Sequence, residues 1–326
     1  MEKKELVGAA ILKALRGEEG FVSGERLSKT LSISRAALHK KIDSLREAGY
    51  EVESVTRKGY RFLSYPDAVD ASLLLSGAET KYIGREILSF EELDSTNTYA
   101  KKIASESPEG TIVIANEQTK GRGRRGRSFH SAKGEGIFFS VILKPDISPE
   151  KAPFITGLAA AALSVALEDL GVNAQIKWPN DILLNGKKIA GILTEMSGDV
   201  EKVEYIILGI GLNVSNGSFP SELEKTASSL KLEGCERSRQ EIFWKLIGSL
   251  ESLYEEYLKG EKSRILKTLR EKSAVLGREI TILTAEGQKS AVALDLSEDG
   301  GLIVDIPNEG RQKLSFGEIS IREKKA

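Results

Sequence analysis

Residues 152–167 carry no charge at all, and the stretch as far as Leu170 is rich in alanine. A run of that length exceeds the usual strand of about 5–6 residues. It also falls short of the ~20 apolar residues that span a bilayer. Alanine favours helix, and a helix without a polar face has to be covered on every side. The chain therefore needs a layered core large enough to enclose it.

The covering layer is legible around that helix. From about 68 to 272 the pattern is mixed. Strand-like runs occur at 110–118, 136–144, 174–184, 187–196 and 203–214, and helical stretches at about 239–258 and 262–272. Asn185-Gly186 between two of the strands is a two-residue hairpin signal, so part of the sheet is antiparallel. The last 50 residues change character. Short β runs at 279–284, 290–296, 302–306, 313–316 and 319–322 are divided by Glu286-Gly287, Asp299-Gly300-Gly301 and Glu309-Gly310. Five such strands predict a small barrel.

The first 64 residues read as three helices and a hairpin. Val7, Ile11 and Leu15 share one helix face. Ser23 and Ser34 can cap two further helices, and only Ser32-Ile33-Ser34 joins them, a helix-turn-helix spacing. A hairpin with a basic tip, Arg57-Lys58-Gly59, follows, and Pro66-Asp67 marks a linker. The predicted class is α+β in several domains: 1–65, 68–272 and 273–326.

Lys+Arg is 47 and Asp+Glu 48, for a net charge of −1. The near balance hides an asymmetry. Residues 1–64 hold 13 Lys/Arg against 9 Asp/Glu, which suggests a polyanion partner for that module alone, ordinary charge scatter being the plainer alternative. A single cysteine excludes an internal disulfide and a Cys-based zinc site, and two histidines disfavour a His-rich metal centre. No apolar signal core follows the N-terminus, and the expectation is a soluble cytoplasmic protein with no membrane partner. In a helix-turn-helix the second helix enters the major groove by its N-terminal end. That end reads Ser34-Arg35-Ala36-Ala37, with His39 and Lys40 one turn on. Arg57, Lys58 and Arg61 would lie along the phosphate backbone. The plainer alternative is a packing module that contacts protein.

The segment 120–127, Lys-Gly-Arg-Gly-Arg-Arg-Gly-Arg, holds five cations and three glycines. Its glycines satisfy G-x-G-x-x-G, and it nearly satisfies a P-loop, but both motifs need a helix to open behind the glycines. Here a polar stretch and then a strand follow, so neither applies. What remains is a loop that orders around an anion. Glycine allows close backbone approach and guanidinium supplies paired donors. Five like charges should keep it mobile without a ligand. The plainer alternative is a solvated loop on nucleic acid. Lys177-Trp178-Pro179-Asn180-Asp181 gathers a cation, a flat ring and a carboxylate at a strand end. Lys187-Lys188-Ile189-Ala190-Gly191 opens the next strand. Asp94-Ser95-Thr96-Asn97 is by default an N-cap for a helix at 98–105; the alternative is that it presents donors to a polar ring.

These segments, with Gly209-Ile210-Gly211-Leu212-Asn213, occur in the order seen in biotin protein ligases. Together with Ser34–Ala37 and the Lys58-Gly59-Tyr60 wing, the chain resembles the bifunctional type, the biotin operon repressors, over essentially its whole length. The resemblance implies a winged helix-turn-helix, a central class II synthetase-like ligase domain and a C-terminal SH3-like barrel. It implies that biotin and Mg-ATP are joined as biotinyl-5′-AMP and that biotin then passes to a lysine of a carboxylase carrier domain. Arg124 and Lys188 are the implied catalytic cations. Ser95, Thr96, Asn97, Gln118, Gly121, Arg122, Gly123, Arg124, Arg125, Lys188, Gly191 and Asn213 are the implied biotin and adenylate contacts, with Phe129 nearby. Arg122, Arg127, Lys177 and Asn180 would meet phosphate, and Asn180 and Asp181 would hold Mg²⁺. The implied DNA contacts are Ser34, Arg35, Ala36, His39, Lys40, Arg57 and Lys58, on a palindromic operator bound by a homodimer that forms with biotinyl-AMP. One departure stands out. In the best-known repressor of this type a tryptophan in the loop after the Gly-x-Gly-x-Asn strand packs on the adenine, whereas Phe219 is the only aromatic residue in 215–233 here.

Two other readings remain open on the residues. A lipoate or octanoate ligase would share the fold, although the Gly-Arg spacing and N-terminal module argue against it. A transcription factor that senses an adenylated ligand without turnover would not need both Arg124 and Lys188.

Overall fold

The structure, a computed structural model, describes residues 3–18, 20–64, 80–284, 287–315 and 317–321. The expected linker at Pro66-Asp67, and the ends of expected strands at Phe316 and Arg322, lie outside them.

Helices α1 (Lys3–Arg16), α2 (Gly24–Thr30) and α3 (Arg35–Glu47) precede a hairpin of β1 (Glu51–Val55) and β2 (Gly59–Ser64). Ser23 and Ser34 cap α2 and α3 as expected, each accepting a hydrogen bond from a backbone N–H of the first turn. Ile11, Leu12, Leu15, Leu27, Leu38 and Ile42 close a core of their own. Val22 and Tyr60 exchange backbone hydrogen bonds, so the wing is tied to the segment leading into α2. Gly59 has φ +109, and a Cβ there would come within 2.1 Å of the Val22 carbonyl oxygen. Only glycine permits that approach.

The central sheet has seven strands: β3 (Ile87–Phe90), β4 (Ile112–Ala115), β5 (Gly136–Leu143), β6 (Gln175–Lys177), β7 (Asp181–Leu184), β8 (Lys187–Gly198) and β9 (Val203–Asn213). Their order is β3-β4-β5-β9-β8-β7-β6, parallel at β3–β4 and antiparallel elsewhere. The expected single strand over 174–184 is two strands. Pro179 has no N–H for a ladder, and the chain turns at 178–180 before it pairs back on itself. Asn185-Gly186 does make the next hairpin, both residues having positive φ.

The uncharged run forms α5 (Pro153–Glu168), which packs with α6 (Arg239–Leu258) and α7 (Ser263–Glu271) against one face of the sheet. The other face carries α4 (Thr96–Ile103), over Val113, Ile142 and Ile207. With the preceding turn, Pro149–Glu168 is long and apolar enough to cross a membrane, but 67% of that window is buried inside the protein. It is the core helix that its composition required.

The C-terminal unit is an antiparallel sheet in the order β13 (Gly310–Leu314), β12 (Leu302–Ile306), β11 (Gly287–Leu296), β10 (Glu279–Thr284), β14 (Glu318–Ile321). Among the described residues no ladder joins β13 to β14. The five strands expected from the turn signals are present.

Candidate active site

The ends of β8, β9 and α4 surround a cavity of about 140 Å³, with the Gly-Arg loop across it. Its polar floor begins at α4. Ser95 occupies the N-cap position, yet its side chain makes no capping bond. Thr96 and Asn97, expected before the helix, form its first turn. Ser95, Thr96 and Asn97 are each less than 5% exposed and line the cavity. The expected role as a helix cap is therefore not the one the Ser95 hydroxyl fills.

Asn97 Nδ2 donates to Glu195 Oε2 at 2.9 Å, and its Oδ1 lies 2.6 Å from the Ser140 hydroxyl. That hydroxyl also lies 2.8 Å from Thr96 Oγ1, and its one proton serves one neighbour at a time. Thr96 donates its backbone N–H to Gln118 Oε1 at 2.9 Å, and Gln118 Nε2 donates to Ser131 at 2.9 Å. Two glycines of β9 make room for this floor. A Cβ on Gly209 would meet Asn97 Oδ1 at 2.0 Å, and one on Gly211 would meet the Phe129 ring at 2.6 Å. The spacing Gly-x-Gly on a strand points both vacancies to the same face.

The loop at 120–129 is folded down rather than splayed. The Phe129 N–H donates to the Gly121 carbonyl, and the Gly123 N–H to that of Arg127. Arg125 adopts φ 54 at the bend. Mutual repulsion of the cations was expected to dominate, but acceptors are brought to them. Arg122 Nη1 lies 3.1 Å from Glu195 Oε2. Arg124 donates to Asn180 Oδ1 and to the Gly317 carbonyl, both at 3.1 Å. Lys188 Nζ lies 2.6 Å from Asp181 Oδ1, with Phe129 beneath it at 5.8 Å.

The C-terminal unit supplies one wall. Ile319 lines the cavity, the Gly317 carbonyl accepts from Arg124, and Trp178 Nε1 donates to the Gly300 carbonyl at 3.1 Å. The loop after β9 is stitched to the same region. Lys188 N–H donates to Thr226, and Ser228 N–H to the Lys188 carbonyl. Glu233 accepts from Ser228 and Asn185, and these bonds, that from Ser228 first, hold its carboxyl below the usual range.

Of the residues singled out from sequence, the cavity gathers Ser95, Thr96, Asn97, Gln118, Arg122, Gly123, Arg124, Arg125, Arg127, Lys177, Asn180, Asp181, Lys188 and Gly191. Two do not line it. A Cβ on Gly121 would strike the Phe129 carbonyl at 2.3 Å, so this glycine closes the loop. Asn213 is buried and donates to the Ser228 carbonyl, tying β9 to the loop behind it. Phe219 packs on His130, with ring centroids 6.0 Å apart, away from the cavity lining. Phe129, Phe139 and Trp178 are the aromatic residues that line it. Sequence reasoning missed Glu195, Ser140 and the Gly317 carbonyl. As for a metal, both ends of the Asn180 side chain are engaged, by Arg124 and by the Ile192 carbonyl. Asp181 remains as one carboxylate. Among the described residues no three His, Cys, Asp or Glu side chains cluster as a ligand set.

In the N-terminal module, Ala36, His39 and Lys40 lie on an open face of α3. Arg35 is paired with Glu25 at 3.2 Å, and His39 with Asp43 at 2.9 Å. On the wing, Lys58 and Arg61 sit over the Phe21 ring at 5.8 and 4.9 Å.

Residues 89–213 match the biotin/lipoate A/B protein ligase family, 9–61 an HTH domain, and 275–322 the biotin protein ligase C-terminal domain. The bifunctional ligase/repressor BirA of Bacillus subtilis is 39% identical over 307 residues, which are 92% of this chain and 94% of that protein. The chain belongs to the bifunctional biotin ligase/repressor family. The BirA of Escherichia coli is 28% identical over 95% of this chain and 96% of its own length. A biotin protein ligase from Aquifex aeolicus, solved with biotin and ATP, is 28% identical with a TM-score of 0.63, covering 74% of this chain and all of its own. The matched regions fall one in each of the three units, the HTH domain in the first and the two biotin ligase regions in the others.

Proposed function

We propose that this protein activates biotin with ATP and transfers it to a carrier lysine, and that the N-terminal module represses transcription at operator DNA. The observation that carries the reading is one cavity in which a Gly-Arg loop and Lys188 face a floor of Ser95, Thr96, Asn97 and Gln118. The floor suits a small polar ring such as the ureido group, whose donors and acceptors need partners when buried. The cations suit the reaction.

In the first step a carboxylate oxygen of biotin attacks the α-phosphorus of ATP, forming a C–O–P anhydride as pyrophosphate leaves. Two anions must approach one another, and Arg124 and Lys188 offset that repulsion. A preorganised donor in a site that excludes water contributes about 3–4 kcal/mol. In the second step the lysine amine of the carrier attacks the acyl carbon. An amide bond forms, AMP leaves with the bonding pair, and the amine loses a proton. The loop over the cavity excludes the water that would hydrolyse the anhydride. Mg²⁺ typically uses one or two carboxylates together with substrate phosphates. Asp181 fits that pattern and Asn180 does not, its oxygen being taken by Arg124. The metal would neutralise phosphate charge. Arg122, Arg127 and Lys177 line the same cavity and are positioned to meet the phosphates.

For DNA, the N-terminal end of α3 enters the major groove and the wing cations contact phosphate. Biotinyl-AMP promotes a homodimer on a palindromic site, and the protein works in the cytoplasm, where ATP, carrier and operator are found. Biotin-dependent exchange of pyrophosphate into ATP tests the ligase. A gel shift that tightens with biotinyl-AMP tests the repressor. Exchange supported by lipoate and not by biotin would overturn the substrate assignment. A ligand bound without any exchange would leave a sensor only.

A further inference from the structure

The hydrogen bonds beneath the cavity close on themselves. Arg122 Nη1 and Asn97 Nδ2 both reach Glu195 Oε2, at 3.1 and 2.9 Å. From Asn97 the chain of contacts runs through the Ser140 and Thr96 hydroxyls, then from the Thr96 backbone N–H to Gln118, and on through Ser131 to the Phe129 carbonyl. Phe129 N–H returns to the Gly121 carbonyl, next to Arg122. The two ends of the Gly-Arg loop are thus held by one circuit, and Glu195 supplies its single formal negative charge.

We infer that Glu195 is a positioning residue that holds Arg122 over the cavity and so controls retention of the adenylate, not the binding of biotin itself. The inference rests on the ligase reading above. Its side chain is 22% exposed against 46% for Arg122, so the carboxylate is the fixed partner and the guanidinium the movable one. A guanidinium carries five donors, and the Glu195 contact uses one. Arg122 lines the cavity, and the remaining donors are what it can offer to a phosphate there. Pinning the side chain in advance removes part of the ordering cost when phosphate arrives. Asn97 also bonds to Glu195, but it keeps two neutral partners, the Leu193 carbonyl at 3.3 Å and the Ser140 hydroxyl, if that charge is lost. The charge of Glu195 therefore matters to the loop more than to the floor.

Glu195→Gln isolates that charge. The amide oxygen can stand where Oε2 stands and accept from both neighbours, so shape is kept and charge is lost. The full-length protein is loaded with biotin alone, then with biotin and ATP, and release of biotinyl-AMP is followed after dilution. The expected result is a biotin Kd within about twofold of wild type and adenylate release about tenfold faster, the ratio given by 1.4 kcal/mol. Because the effect passes through Arg122, the Glu195→Gln change adds nothing in an Arg122→Ala background. Should the Glu195→Gln protein not fold, Glu195→Asp keeps the charge and shortens its reach to Arg122, with the same split expected. Wild-type release rates in Glu195→Gln, an equal loss of biotin and adenylate, or multiplying losses in the double variant would each overturn the proposal. Wild-type protein that makes no biotinyl-AMP would overturn the ligase reading and this proposal with it.

Discussion

Gly209→Ala adds one methyl group to the middle of β9, and the floor cannot absorb it. The new Cβ would lie 2.0 Å from Asn97 Oδ1 and 2.8 Å from its Cγ. Ordinary contact begins near 3.4 Å, so the amide has to retreat by roughly 1.4 Å. It cannot swing freely, since Ser140 grips its oxygen and Glu195 its nitrogen. Breaking the neutral bond costs about 1 kcal/mol and the one to a carboxylate about 1.5–3. The expected loss of domain stability is therefore about 2–4 kcal/mol, with biotin affinity falling at least tenfold as the floor deforms. Calorimetry with biotin and a thermal melt read both. Gly217→Ala is the control, since nothing lies within 4 Å of its Cβ. A Gly209→Ala protein that binds biotin as wild type does would refute the packing argument.

Lys188→Ala removes a cation 2.6 Å from Asp181 and leaves that carboxylate without its ion pair; adenylate formation should slow about 100- to 1,000-fold in an exchange assay. Arg35→Ala should weaken specific operator binding more than non-specific binding in gel shifts, because base contacts specify and phosphate contacts position. Gly248→Ala, on the exposed side of α6 with open space around the Cβ, should stabilise by about 0.5–1 kcal/mol and raise the melting midpoint of the central domain by a few degrees. The Asp299 carboxyl is pulled down to about 2, first by Lys313 and then by Ser297. A depressed carboxyl stabilises above its ordinary range and loses that contribution as pH falls from about 4 toward 2; Asp299→Asn should flatten the acid limb of a pH–stability curve there.

Periodicity made the N-terminal module legible, since Leu38, Ile42 and Leu45 mark the buried face of α3 and a serine marks each start. The Gly-Arg loop was legible as anion-binding chemistry, because guanidiniums among glycines suit a phosphate, whether on a small molecule or on nucleic acid. What the loop docks on was not. Glu195 sits in a strand where an acidic side chain reads as solvent-facing, and the Gly317 carbonyl has no side-chain signature at all. Ser95 reads both ways in the sequence, as a cap and as a donor to a polar ring: it occupies the N-cap position, while its side chain makes no capping bond and lines the cavity. The break at 178–180 did have a signal. Pro179 cannot sit inside a central strand, and weight given to the apolar residues on either side concealed it.

Arg124 leans on a carbonyl at position 317, and Ile319 walls the same recess whose floor begins at Ser95. More than two hundred residues of translation separate those contributions. A nascent chain still tethered to the ribosome can shape its sheet early, yet the recess gains these two contributions only when positions 317 and 319 have emerged. A chain stopped short of them keeps the floor and the Gly-Arg loop but leaves Arg124 without that carbonyl.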